Sequence, residues 1–79
     1  MLTRDQVKMA RGVLDWTLQD LAREAGVNPN TIKRFESGGN VTVATVEKVR
    51  MAIERAGITL VPANGGPATI RPPRRGTEE

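Results

Sequence analysis

Asn30, Thr31, Lys33 and Arg34 lie close together in the sequence, and their side chains suit the edges of base pairs. Arg34 presents a planar fork of donors that matches guanine O6 and N7. Lys33 offers a point charge to the same edge, and Asn30 a donor–acceptor pair for adenine N6 and N7. Thr31 can touch a thymine methyl or a phosphate. A second group suits the sugar–phosphate backbone instead. Thr17 can present a hydroxyl and free N–H groups at a helix start, Gln19 and Arg23 lie on the exposed side of that helix, and Asn28 and Asn40 sit in the flanking loops. Each has an ordinary alternative: Arg23 and Glu24 can simply solvate a helix, and Asn28 can simply cap one.

Catalytic chemistry finds little support. The chain has no histidine and no cysteine, so it lacks the commonest general base and any thiolate nucleophile or metal ligand. Gly65-Gly66 follows a strand-like run but precedes no helix, which is the wrong setting for a phosphate-cradling loop. No enzymatic activity, metal or other cofactor is expected. Trp16 and Phe35 are the only aromatics, so stacking platforms for unpaired bases are not available and the expected nucleic acid is double-stranded DNA.

The elements that must hold these side chains are legible around them. Thr17 is a helix N-cap, and Gly26 stands where a helix ends in the left-handed conformation that glycine enters cheaply. Asn28 caps a second helix, with Pro29 at its first position and about 29–36 as its span. Leu18, Leu21, Ala22, Ala25, Val27, Ile32 and Phe35 recur at spacings that turn one stripe of each helix to a shared core. This is a helix-turn-helix pattern. In such a reader the second helix lies in the major groove and its N-terminal residues meet base edges.

On either side the pattern continues. Thr3 and Gln6 form a capping-box pair, opening a helix expected to run to about Arg11 and to stop at Gly12. Val7, Ala10 and Leu14 would face inward, and Arg4, Lys8 and Arg11 outward. Trp16 precedes the Thr17 cap and can staple onto Leu21, or alternatively anchor a partner at the surface. Ser37-Gly38-Gly39-Asn40 is loop chemistry. Thr42 can cap a further helix with Val43, Val46, Val49 and Ile53 buried, until Gly57 ends it; Lys48, Arg50, Glu54 and Arg55 form its solvated side. Ile58–Val61 and, more weakly, Ala68–Arg71 have strand character around a turn over 62–67, which makes a hairpin. A lone two-stranded hairpin is marginal in water and an open edge invites a partner. The segment therefore packs on the helices or pairs with its copy in a second subunit. The second arrangement is preferred, with Ile58, Leu60 and Val61 as dimerisation residues. Residues 72–79 are too polar and proline-rich to fold alone and read as a disordered tail. Arg71, Arg74 and Arg75 could trail along phosphates, with Glu78 and Glu79 opposing this. The expected division is a DNA-binding unit over 1–57, an extension over 58–71 and the tail over 72–79.

Bulk properties agree with this scheme without proving it. Seventy-nine residues make one small domain, and twelve Lys and Arg against nine Asp and Glu give a formal charge of +3, a mildly basic balance compatible with nucleic acid. No stretch resembles a signal peptide or a bilayer-spanning segment. A soluble cytoplasmic protein, associated with the nucleoid through DNA, is the expectation.

Trp16-Thr17-Leu18-Gln19-Asp20-Leu21-Ala22, Ala25-Gly26-Val27 and Thr31-Ile32-Lys33-Arg34-Phe35-Glu36-Ser37-Gly38 together resemble the helix-turn-helix domain of Cro/C1-type, XRE-like regulators, over about residues 2–57. The resemblance implies an all-α, lambda-repressor-like bundle of four to five short helices, here followed by a β-strand or hairpin extension. It implies a sequence-specific transcriptional regulator, such as a repressor, that binds a palindromic operator as a homodimer. Glu36 would be structural rather than a base reader. Two departures stand out. Leu18 occupies a position where many members carry a Gln that braces the recognition helix, and the loop 38–41 lacks the basic residues that often grip the backbone there. The alternative reading is a protein-interaction module, an antitoxin or antiactivator-binding partner, using the strand Ile58–Val61 and the tail. No small-molecule site is evident, so control would come through another regulatory protein, proteolysis or concentration.

Overall fold

Local capping divides the helical part of the chain. In the computed structural model, which describes residues 2–62 and 69–72, four helices each begin at a residue whose side chain accepts a backbone N–H two or three positions on. These are α1 (Arg4–Leu14) capped by Thr3, α2 (Leu18–Ala25) by Thr17, α3 (Pro29–Glu36) by Asn28 and α4 (Val43–Arg55) by Thr42. A cap satisfies one of the N–H groups that a helix start leaves orphaned, so these four residues set the helix boundaries. Gly26 ends α2 at φ 73°, and the Val27 N–H reaches back to the Ala22 carbonyl at 3.0 Å. The chain therefore reverses within a few residues and enters α3.

The four helices enclose one core. Val7 and Ala10 of α1, Leu21 and Ala22 of α2, Ile32 and Phe35 of α3, and Val49 and Ile53 of α4 are buried in it, with Leu2 and Ile58 closing the ends. Trp16, Leu18 and Val27 pack against it half-buried. After α4, β1 (Thr59–Val61) and β2 (Thr69–Arg71) form an antiparallel hairpin with Leu60 opposite Ile70. The hairpin lies on α1, and Leu60 and Ile70 pack on the core from outside.

Three expectations need correction. Gly12 does not stop α1, which runs on to Leu14 and ends at Asp15 in the left-handed region at φ 57°. A mid-helix glycine weakens a helix by only about 1 kcal/mol, and continuing the helix sets Leu14 against the core. Aspartate tolerates the left-handed conformation better than most residues. Arg11 does not stay outside but turns in toward α3, as described below. Val43 is 71% exposed rather than buried: it is the first residue of α4, and the core on that side begins a turn later at Val46. The strands pair with each other within the chain as a hairpin and lie on the helices. The turn at 63–68 and the tail at 73–79 lie outside the described residues.

Gln6 explains why the hairpin stays down. Its Oε1 accepts the Thr3 N–H at 2.9 Å, while its Nε2 donates to the carbonyls of Val61 and Thr69, both at 3.0 Å. One buried amide thus closes the α1 cap and ties both strands to the bundle. Replacing Gln6 by Ala removes that donor and half of the capping box. We expect a stability loss of about 1–3 kcal/mol, with amide exchange accelerated most at 59–61 and 69–71. Uniform exchange rates would show that the hairpin is held by other contacts.

Candidate nucleic-acid interface

The orientation of α3 is set by its buried side. Ile32 and Phe35 enter the core, and Glu36, 8% exposed, joins them as a buried carboxylate. Such a charge is tolerated only when paired, and the partner is Arg11. The Arg11 Nε donates to Glu36 Oε2 at 2.6 Å and Nη2 to Oε1 at 2.9 Å, while Nη1 donates to the Trp16 carbonyl at 3.0 Å. This fork fastens α1, the α1–α2 junction and the end of α3 to one another. The hydrogen bond to Glu36 raises the Arg11 pKa above its ordinary value against the opposing effect of burial, so the guanidinium is charged at any pH at which the fold exists.

With Ile32, Phe35 and Glu36 turned inward, the helical repeat sends Asn30, Lys33 and Arg34 out. All three are exposed, and Thr31 is half-buried beside them. Neither Lys33 nor Arg34 has a carboxylate partner among the described residues. Thr31 and Arg34 line an open groove of ≈ 420 Å³ together with Asn40, Val41, Thr42 and Thr45. The structure thus brings three of the expected residues, Thr31, Arg34 and Asn40, to one place. It adds the hydroxyl-bearing Thr42 and Thr45, of which Thr42 was legible as a cap and Thr45 not at all.

The loop after α3 shapes the same region. The Gly39 N–H donates to the Arg34 carbonyl at 2.8 Å. A Cβ at Gly39 would fall 2.6 Å from Arg34 Cγ, so the absent side chain is the space in which the Arg34 stem lies.

The residues assigned to phosphate fall into different settings. Thr17 caps α2 in a reciprocal box: its Oγ1 accepts the Asp20 N–H at 3.0 Å and Asp20 Oδ2 accepts the Thr17 N–H at 2.9 Å. That N–H, with help from the Arg23 guanidinium, holds the Asp20 carboxyl below the usual carboxylate range. An anion therefore sits at the start of α2, opposing a phosphate there, although the N–H groups of Leu18 and Gln19 carry no bond among the described residues. Arg23 is exposed but engaged with Asp20 Oδ1 at 3.0 Å, and Gln19 is exposed and unengaged among the described residues. Asn28 Oδ1 accepts the Asn30 N–H at 2.8 Å, which confirms its capping role and leaves its Nδ2 for a ligand. Of the dimerisation residues, Ile58 is 2% exposed within its own core, whereas Leu60 and Val61 are half-buried on the hairpin.

Comparison with known proteins gives one result for this arrangement and one blank. No curated protein matches the chain. The helix-turn-helix family model matches residues 7–59, which takes in α1 after its first turn, α2 through α4 and the start of β1, and so includes every side chain described around α3. The chain belongs to the Cro/C1-type helix-turn-helix family.

Proposed function

We propose that this protein is a sequence-specific transcriptional regulator that lays α3 in the major groove of DNA. It binds a palindromic operator as a homodimer and represses by occupying it. The observation that carries the reading is the division of α3 into a locked side and an open side. Ile32, Phe35 and the Arg11–Glu36 pair fix the helix, while Asn30, Lys33 and Arg34 stand exposed with donors for base edges. Family membership supports DNA as the ligand. Two copies would address half-sites about 34 Å apart, one helical turn. Because Ile58 is committed to its own core, subunit contact falls to the outer edge of the hairpin and to Leu60 and Val61. The reading is of a binding protein and not of an enzyme, working in the cytoplasm on the nucleoid.

Titrating the isotope-labelled chain with a short random-sequence duplex tests the face used. Amide shifts are expected to concentrate in α3, the loop 38–42 and the first turn of α4, with the buried half of α4 quiet. Perturbation centred on α4 or the hairpin, with α3 unmoved, would sink the assignment of α3 as the reading helix.

A further inference from the structure

The loop that follows α3 has no cation of its own: from Ser37 to Glu47 there is no Lys or Arg. Yet two arginines from other elements lie against it. Arg4, at the start of α1, is exposed and reaches across to Gly38, where an added Cβ would fall 2.5 Å from its Nη1 and 3.5 Å from its Cζ. Arg34, from α3, lies in the same manner against Gly39. Adjacent Cα atoms are about 3.8 Å apart, so a guanidinium from α1 and a guanidinium stem from α3 are seated on neighbouring residues.

Their charges are not answered among the described residues. Arg11, Arg23 and Arg50 each have a carboxylate partner, whereas Arg4 and Arg34 have none among the described residues. A polyanion laid along this loop meets both cations without displacing a carboxylate of the described residues. Gly38, in the left-handed region at φ 87°, has no side chain to hold the Arg4 guanidinium off the loop, and Arg4 as a whole stays exposed.

We propose that Arg4 is a phosphate-binding residue of the DNA interface, supplying from α1 the cation that the loop 38–41 lacks. The inference rests on the reading of α3 as the DNA-contacting helix. Arg34 then addresses a base while Arg4, beside it, grips the strand that borders the groove. A phosphate contact carries no sequence information, but it releases counterions and steepens the dependence of binding on salt. A side chain that merely covers Gly38 does neither.

The test is fluorescence anisotropy of a labelled random-sequence duplex titrated with the full chain between about 50 and 200 mM salt. Wild type is set beside Arg4→Gln, Arg4→Lys and Arg4→Glu. One lost phosphate contact lowers the slope of log affinity against log salt by about 0.9, so over that range Arg4→Gln loses about 3.5-fold less affinity than wild type. Arg4→Lys is expected to keep the wild-type slope. Arg4→Glu is expected to bind more weakly than Arg4→Gln, and it guards against a folding artefact because glutamate is favoured in a first helical turn. An Arg4→Gln slope equal to that of wild type overturns the inference and leaves the role of α3 standing, even if affinity falls. A wild-type chain that does not bind the duplex at all overturns both.

Discussion

Arg34→Ala is expected to weaken binding to the preferred duplex by about 1–3 kcal/mol, a loss of about 5- to 150-fold, and to relax selectivity at one base position. Arg34 leaves α3 on the exposed side, its stem rests in the space opened by Gly39, and no carboxylate competes for its guanidinium among the described residues. Its two terminal nitrogens can therefore address O6 and N7 of a guanine together. Lysine keeps the charge but not the fork. Arg34→Lys should thus retain the salt dependence of wild type while losing much of the preference for that base pair. Competition binding with single-base variants of the duplex separates these effects. Unchanged affinity and unchanged selectivity in Arg34→Ala would mean that another face of α3 reads the bases.

The largest effect on the fold itself is expected at Glu36. Its carboxylate is nearly inaccessible and takes two bonds from Arg11, whose own side chain keeps 24% of its exposure. Glu36→Ala leaves the Arg11 cation partly buried without its partner. Breaking a buried pair on one side destabilises by about 3–5 kcal/mol, and the residual exposure of Arg11 favours the lower figure. For a domain of this size each kcal/mol shifts Tm by about 4–8 °C, so a fall of about 12–24 °C is expected in a thermal melt. Arg11→Met combined with Glu36→Leu should recover much of that loss, because apolar groups of similar volume replace a buried ion pair at little cost. A single variant that melts within a few degrees of wild type would contradict the role given to the pair. Since the pair fastens the end of α3, DNA affinity in Glu36→Ala should fall even below its melting temperature.

Which parts of this arrangement could be read from the sequence follows from the range of the interactions. Thr3, Thr17, Asn28 and Thr42 were all legible as caps because a cap joins residues two or three apart. Gly26 was legible for the same reason. The exposed side of α3 followed from the apolar spacing of Ile32 and Phe35, which leaves Asn30, Lys33 and Arg34 no other direction. Interactions between distant segments were not legible. Arg11 shares its charge and helical spacing with Arg4 and Lys8, and nothing local marks it as the one that turns inward to a carboxylate 25 residues away. Gln6 reads as half of a capping box, and its second role depends on strands 55 and 63 residues further on. The resemblance named Glu36 as structural but not its partner. The loop 38–41 looked poor in cations because the cation beside it belongs to α1.

Selection of bound sequences from a random duplex pool tests the central claim most directly, since the pool presupposes no operator sequence. The full chain is expected to enrich an inverted repeat whose half-sites are centred about 10 base pairs apart, with a guanine in each half-site that Arg34→Ala no longer selects. A folded chain that enriches no sequence, or one that enriches the same guanine with and without Arg34, would contradict the assignment of α3 and Arg34 as the elements that read DNA.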